Sequence, residues 1–263
     1  MQKIHRNGVA LAYHDEGSGD PPLLFVHGWT CDHTFFAPQV EHFRERHRVI
    51  SADLRGHGES DTPEDEYSPN SFADDLAYLC RELAVTHPVV VGHSLGGVIA
   101  LAMAARHGEL VRAIVAVEAP LFPPQPLREA VMGFLDQIRG PGYRDAQRAF
   151  VSNALFLPTD EPDLKQQIVE RMARTPQHVM VPALANIFSW DHAAGAAACR
   201  VPALLVNAAD APGSVARFRE LCPHLLVGQT VGAGHFNQLI VPDQVNAMIE
   251  RFLVTAIRPA API

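Results

Sequence analysis

A short apolar strand runs into a glycine-flanked serine and then into an apolar helix between residues 89 and 105. Val89–Val91 are β-branched, Gly92-His93-Ser94-Leu95-Gly96 follows at once, and a run of alanine and aliphatic residues completes the segment. So sharp a turn brings backbone segments together where a Cβ would clash, which explains glycine at 92 and 96. The Ser94 hydroxyl should therefore project above a sheet at the positive end of a helix, as a nucleophile or a substrate-facing group.

Short apolar strands alternate with helical segments along most of the chain. This pattern predicts an α/β fold with a mostly parallel central sheet and helices on both faces. The strands are predicted at Val9–His14, Leu23–Val26, Val49–Ala52, Val89–Val91, Ala113–Val117, Ala203–Val206 and Leu225–Thr230. The clearest helices are predicted at Phe72–Leu83, Val98–His107 and Gln244–Phe252.

Residues 120–196 interrupt this alternation. The region opens with Pro123-Pro124-Gln125-Pro126 and continues with helical segments such as Asp163–Ala173. Ligands of open α/β sheets bind beyond the carboxyl ends of the strands, so an insertion on that side would cover Ser94. We therefore predict a core of residues 1–119 and 197–263 and a helical cap of residues 120–196.

His235 is the candidate base. It lies in Gly232-Ala233-Gly234-His235, directly after the last predicted strand, and the glycines allow the loop to carry the imidazole across the sheet. A serine hydroxyl needs a base and an orienting acid to act as a nucleophile. A histidine late in the chain fits the order serine, acid, histidine.

The segment after Leu23–Val26 offers the hydrogen-bond donors for a developing oxyanion. His27-Gly28-Trp29 follows this strand, and the glycine turn can direct the Trp29 amide toward the site. The Leu95 amide, next after the nucleophile, would be its partner. One donor of this kind contributes about 2.7–4 kcal/mol in acyl transfer. We interpret His27 as a structural residue.

Three side chains are predicted to contact the substrate, namely those of Trp29, His93 and Phe122. Large apolar groups are frequent in and near the predicted cap. They favour an apolar pocket for short to medium acyl groups or aromatic substrates.

These segments together resemble the α/β-hydrolase superfamily, in particular its capped serine esterases and lactonases. The resemblance rests on His27-Gly28-Trp29, Asp53-Leu54-Arg55-Gly56-His57-Gly58-Glu59-Ser60, Gly92-His93-Ser94-Leu95-Gly96-Gly97 and Gly232-Ala233-Gly234-His235. It extends over nearly the whole core. It implies the α/β-hydrolase fold with a helical cap, and for the Asp53–Ser60 segment a structural loop held by polar contacts of Asp53 and Arg55.

The resemblance leaves two candidates for the acid. In most relatives it follows the strand after the cap, where this chain has Asp210, with Ala208 at the usual glycine and one residue fewer before the acid. Haloalkane dehalogenases, zearalenone lactonases and cofactor-free quinolone dioxygenases place it at the end of the strand before the cap. Glu118 occupies that position here. Both residues preserve the chain order, and we favour Glu118.

The leading hypothesis is a hydrolase of small carboxylic esters or lactones that works through an acyl-enzyme and needs no metal or cofactor. Ser94 would attack, His235 would accept its proton, and Glu118 or Asp210 would orient the imidazole. One alternative is a cofactor-free dioxygenase of a hydroxylated heteroaromatic, which Gly28-Trp29, Asp32-His33 and an acid at 118 resemble. Those enzymes carry histidine where this chain has Leu95. The other alternative is a ligand-sensing hydrolase fold with little turnover, since fold alone does not fix function.

The charge and cysteine content exclude several other classes. With 21 basic and 29 acidic residues the net charge is −8, which argues against nucleic acid or an anionic membrane as partner. No apolar run approaches the roughly 18 residues of a membrane span, and the N-terminus lacks a signal-peptide pattern. Four cysteines distant in sequence and the lack of any metal-binding motif predict reduced thiols and no metal. We expect a cytoplasmic monomer or homodimer acting on a small molecule.

Overall fold

The computed structural model describes residues 1–208 and 212–257, which build one eight-stranded sheet with helices on both faces. The strands are β1 Gln2–Arg6, β2 Val9–Glu16, β3 Leu23–Val26, β4 Val49–Ala52, β5 Val89–His93, β6 Ala113–Val117, β7 Ala203–Asn207 and β8 Leu225–Gln229. Their order in the sheet is β1-β2-β4-β3-β5-β6-β7-β8. The β1–β2 and β2–β4 pairs are antiparallel and the remaining pairs are parallel, so the predicted fold class is confirmed.

The described residues form eleven α-helices. They are α1 Ala37–Phe43, α2 Pro69–Glu82, α3 Leu95–Arg106, α4 Gln125–Ile138, α5 Tyr143–Ala154, α6 Pro162–Met172, α7 Gln177–Ser189, α8 His192–Ala198, α9 Val215–Leu221, α10 Asn237–Ile240 and α11 Pro242–Ala256. No described helix combines the length and apolarity needed to cross a bilayer.

Each face of the sheet buries its own apolar cluster. In β3, Leu24 and Val26 belong to the cluster beneath α2 and α3, whereas Leu23 and Phe25 belong to the cluster beneath α1 and α11. Side chains alternate between the faces of a strand, so a central strand covered on both faces must be apolar throughout. This requirement explains why the continuous apolar runs predicted β3 and β6 with their observed bounds.

The differences between the predicted and observed elements have local causes. Strand β1 was missed because its sequence is mostly polar, as suits an exposed strand at the sheet edge. Helix α2 begins before Phe72, since Ser68 and Ser71 form a reciprocal capping box and Pro69 occupies the first helical position. Helix α3 begins at Leu95, directly after Ser94, rather than at Val98.

Helices α4 to α8 lie between β6 and β7. Helices α4 to α7 pack on one another, whereas α8 contacts α3 and α9. The helical character expected for the inserted region is thus observed. The division of the chain at residues 119/120 and 196/197 stays a prediction.

Candidate active site

Ser94 lies in a strained turn between β5 and α3. Its φ of 54° and ψ of −115° are unusual for a residue with a side chain. The turn is held by the Ser94 amide, which donates to the Val117 carbonyl at 2.8 Å. A Cβ at Gly92 would lie 2.0 Å from the Gly96 carbonyl oxygen, and one at Gly96 would lie 2.1 Å from that of Val26. The predicted need for both glycines is therefore confirmed.

Glu118 and His235 meet across the site. His235 Nδ1 lies 3.3 Å from Glu118 Oε2, and the other oxygen of the carboxylate accepts a hydrogen bond from the Ala208 amide. The Glu118 side chain is 3% exposed and that of His235 is 14% exposed. A carboxylate at Nδ1 favours the tautomer that carries the proton there, which leaves Nε2 free to accept one. Asp210, the other candidate acid, lies outside the described residues.

The backbone places Glu118 at the end of β6 in an uncommon conformation. Its φ is 50°, in the left-handed region, and its amide donates to the Val206 carbonyl at 2.8 Å. This kink follows the last pairing of β6 with β7 and turns the side chain toward His235. Non-glycine residues in this region cost free energy and occur often at functional sites.

The loop that carries His235 is attached to the segment between α5 and α6. The His235 amide donates to the Leu155 carbonyl at 2.9 Å, and the Gly234 amide lies 3.3 Å from Asp160 Oδ2. Asp160 is buried and also accepts from the Leu157 amide at 2.7 Å. A Cβ at Gly234 would lie 2.8 Å from Asp160 Oδ2, so the two segments are in close contact. Sequence reasoning missed Asp160, because it lies in a polar turn that has no motif.

His93 supports the same loop. Its Nε2 donates to the His235 carbonyl at 2.8 Å, and the two imidazole centroids are 4.7 Å apart. Burial, with His235 nearby, holds the pKa of His93 well below its usual range, so the ring is neutral. His93 lines the cavity described below, as expected for a substrate contact, but its hydrogen bond is made to the loop that carries His235.

The expected oxyanion donors lie beside Ser94. A Cβ on Gly28 would be 3.3 Å from Ser94 Cβ, so the turn after β3 passes directly over the nucleophile. In the part of the chain that the structure describes, neither the Trp29 nor the Leu95 amide donates to a protein acceptor. The Trp29 side chain lines the cavity, and its indole N–H donates to the Met180 carbonyl at 2.8 Å. Both amides are thus available to a ligand.

Phe122 does not reach the site, contrary to the prediction of a substrate contact. It is not among the described residues that line the cavity. Its φ is 56°, and its ring packs 5.9 Å from His192 and 5.9 Å from Phe218. The left-handed turn directs the side chain into the contact between the inserted helices and α9.

A cavity of about 570 Å³ opens above Ser94, Glu118 and His235. The inserted helices and their connections supply most of its wall, through Leu127, Val131, Phe150, Phe156, Leu184, Ile187 and Phe188. Among the described lining residues there is no lysine or arginine, and Glu118 is the only acid. The walls therefore offer apolar contact to a ligand, and the polar groups are confined to the reacting end.

The Asp53–Ser60 loop is structural, as expected. Asp53 accepts from the amides of His33 at 2.7 Å and Glu59 at 2.8 Å, and Arg55 pairs with Asp75. His27 Nε2 accepts from the Leu54 amide at 3.0 Å, which joins this loop to the turn after β3. These residues do not line the cavity, but they contact the turn after β3 that does.

One group of side chains with potential metal-ligand atoms lies close together among the described residues, and the sequence pattern did not indicate it. Cys199, Cys222 and His224 lie close together at the end of the sheet opposite the cavity. The sequence pattern missed them because they come from segments that adjoin only in the folded chain. None of these residues lines the cavity above Ser94.

Comparisons with known proteins agree with this architecture. The family model described as alpha/beta hydrolase fold matches residues 21–241. The chain is 43% identical over 117 residues to 2-(acetamidomethylene)succinate hydrolase of Mesorhizobium japonicum, a match that covers 44% of this chain and 42% of that relative. It is 27% identical over 209 residues to an AB hydrolase superfamily protein, YisY, of Bacillus subtilis, with 76% and 77% covered.

A solved structure shows the same fold over nearly the whole chain. The enol-lactonase from Burkholderia xenovorans LB400 superposes with a TM-score of 0.86 and 23% identity, covering 96% of this chain and 100% of that one. At this identity the likeness establishes the fold alone.

Proposed function

Because the chain belongs to the α/β-hydrolase family, we propose that this hydrolase cleaves neutral carboxylic esters or lactones with Ser94 as nucleophile. The observation that carries the proposal is the pairing of His235 with Glu118 at 3.3 Å, on the same cavity as Ser94. This pairing supplies an oriented base on the same cavity as a hydroxyl at the positive end of α3. The available Trp29 and Leu95 amides support it further.

The proposed reaction follows from these positions. Within the described residues the Ser94 hydroxyl has no hydrogen-bond partner, so it is free to rotate toward His235 Nε2 when substrate binds. Oγ attacks the carbonyl carbon as Nε2 takes the proton, and Glu118 stabilises the imidazolium that forms. The amides of Trp29 and Leu95 receive the negative charge on the former carbonyl oxygen. His235 then protonates the leaving alkoxide and activates the water that releases the acid.

The cavity supports a neutral substrate. A dicarboxylate requires charge-assisted hydrogen bonds, usually from arginine or lysine, when it is taken out of water. The described wall supplies neither. The relative from Mesorhizobium japonicum is named for a succinate, and we propose that this chain prefers an uncharged acyl group instead. The aromatic and aliphatic side chains of the wall would bury such a group at about 25 cal/mol per Å².

The dioxygenase alternative lacks this support. Asp32 pairs with Arg171 at 3.0 Å, and the amide and ring of His33 both bind Asp53. Neither residue is among the described residues that line the cavity. Asp32 and His33, two of the features that prompted this alternative, are thus engaged elsewhere in the fold.

The test is a hydrolysis panel with p-nitrophenyl acetate, butyrate and octanoate, a neutral γ-lactone and a succinate monoester. We expect turnover of the neutral substrates, weaker turnover of the charged one, and a loss of about 10⁴-fold or more in S94A. A fluorophosphonate should label Ser94 in the wild type and in S152A, a matched serine control, but not in S94A. Ester cleavage that survives in S94A would overturn the proposed nucleophile.

A further inference from the structure

Two thiols and an imidazole meet at the amino ends of β7 and β8. Cys199 directly follows α8, Cys222 directly follows α9, and His224 immediately precedes β8. One potential ligand atom from each lies within 4.8 Å of the other two. Both cysteines are free and buried, whereas His224 is exposed, so the cluster has a dry side and a side open to solvent.

The distances suit a small tetrahedral ion. Cys222 Sγ lies 3.3 Å from His224 Nε2 and 4.0 Å from Nδ1. Zinc binds thiolate sulfur at about 2.3 Å and imidazole nitrogen at about 2.1 Å, so two such ligands at the tetrahedral angle are roughly 3.6 Å apart. The Nδ1 separation of 4.0 Å exceeds that value by about 0.4 Å. Side-chain adjustments of a few tenths of an ångström would bring the ligands into place.

The Val201 carbonyl selects the tautomer of the His224 imidazole. It lies 2.7 Å from His224 Nε2, which donates its proton, and 3.7 Å from Cys199 Sγ. With the proton held on Nε2, the lone pair is on Nδ1, the nitrogen 4.0 Å from Cys222 Sγ. A backbone carbonyl at the second ring nitrogen is the usual partner of a metal-binding histidine. The hydrogen bond therefore fixes the tautomer that a metal requires.

The backbone of both cysteines is held in place. The Cys199 amide donates to the Gly195 carbonyl at 3.1 Å, and the Cys222 amide donates to that of Phe218 at 2.8 Å. The Leu225 amide in turn donates to the Cys222 carbonyl at 3.0 Å, which ties the cluster to the first residue of β8. Ligands fixed in this way lose little conformational entropy when they bind an ion.

We propose that Cys199, Cys222 and His224 form a Zn²⁺ site, with water as the fourth ligand on the solvent side. Both thiols lose their protons as the ion binds, since thiolate is the ligand form. A donor set of two thiolates and one imidazole binds zinc in preference to magnesium or calcium. The site lies at the amino end of β7, whereas Ala208, beyond its carboxyl end, lines the catalytic cavity. The ion would therefore stabilise the β7–β8 edge and take no part in the reaction at Ser94.

The experiment titrates chelator-treated, fully reduced protein with Zn²⁺ by calorimetry and with Co²⁺ by absorption. We expect about one equivalent of zinc, a rise in Tm that grows with free zinc, and thiolate-to-cobalt charge transfer with tetrahedral bands. C199S, C222S and H224A should each weaken binding at least about tenfold. C80A is the matched control, because Cys80 is a buried free thiol elsewhere, and it should bind as the wild type does.

H224A keeps the test valid if a cysteine variant fails to fold, since His224 is exposed. No uptake by the reduced wild type would overturn the proposal. Unchanged affinity in H224A, or equal loss in C80A, would do the same. Zinc that binds this site should leave ester hydrolysis unaltered, so inhibition in parallel with binding would also contradict the assignment.

Discussion

His235 Nδ1 lies 3.3 Å from Glu118 Oε2, although 117 residues separate the two in the chain. The contact joins the end of β6 to the loop after β8, across the intervening β7. It forms because the backbone at Glu118 bends into the left-handed region as the strand ends. Glu118, which precedes the inserted helices, is therefore the carboxylate partner of His235 within the described residues.

Glu118→Gln should lower kcat by about 10³- to 10⁴-fold with little change in KM. An amide in place of the carboxylate cannot stabilise the imidazolium and favours the wrong tautomer. Asp210→Asn is the matched variant and should lower kcat by less than about tenfold. Both are measured with p-nitrophenyl butyrate, with Tm as the check on folding. The reverse ranking of the two variants would assign the acid to Asp210.

Asp160→Ala should lower kcat by about 10- to 100-fold, although Asp160 is outside the proposed triad. Its carboxylate accepts from the Gly234 and Leu157 amides, so its loss frees the residue next to the base, and small displacements of catalytic groups are costly. Asp160→Asn keeps one acceptor oxygen and should recover part of the rate. Asp163→Ala, in the exposed first turn of α6, is the control.

The comparison of kcat with KM separates this positioning effect from a loss of pocket shape. If Asp160→Ala raised KM alone, the residue would act on the cavity wall and not on His235. A drop in Tm with unchanged kcat would show that the contact is only structural.

Phe150→Ala should shift the acyl preference toward longer chains. The ring lines the cavity and stacks on Phe134 at a centroid distance of 4.1 Å, so its removal enlarges the apolar end of the pocket. We expect kcat/KM for the octanoate ester to rise relative to the acetate by roughly tenfold. The ratio of the two, measured in wild type and variant, is the readout, and an unchanged ratio would place the acyl chain elsewhere.

Stability should fall on acidification from about pH 6.5. Burial lowers the pKa of His57 to about 3, whereas an unfolded histidine titrates near 6.5. Between these values unfolding takes up a proton, so the free energy of unfolding falls as the pH falls, by up to about 1.4 kcal/mol per pH unit for this residue. Burial also lowers the pKa of His27 and His93, which act in the same direction.

Urea unfolding at pH 7.5, 6.0 and 5.0 measures this slope. His57→Gln should be less stable than the wild type at neutral pH, since the ring is buried. Its free energy of unfolding should depend less steeply on pH, because unfolding of the variant takes up about one proton fewer. A variant slope equal to that of the wild type would contradict the assignment.

The sequence predicted best the features that depend on residues close together in the chain. Strands such as Leu23–Val26 are buried on both faces, so their apolar runs marked their bounds, and the glycines around Ser94 followed from steric conflict alone. It could not separate Glu118 from Asp210, because both preserve the chain order and the choice depends on contacts between segments distant in sequence. Asp160 lay in a polar turn that carries no motif.

The features that the sequence did not indicate share one cause, which is contact between segments distant in sequence. Phe122 was expected at the substrate, but a left-handed turn directs its ring toward His192 and Phe218. Cys199 and His224 have no metal-binding spacing in the chain, and they meet only because the segments that precede β7 and β8 lie side by side. Periodicity along the sequence carries no information on either pairing.

The attachment of the His235 loop to the connection between α5 and α6 limits how this hydrolase can be redesigned. Exchanging the inserted helices for those of another hydrolase would also remove the segment that anchors the proposed base. A chimera should retain residues 155–160 with their native partners, and replace only the wall-forming helices on either side.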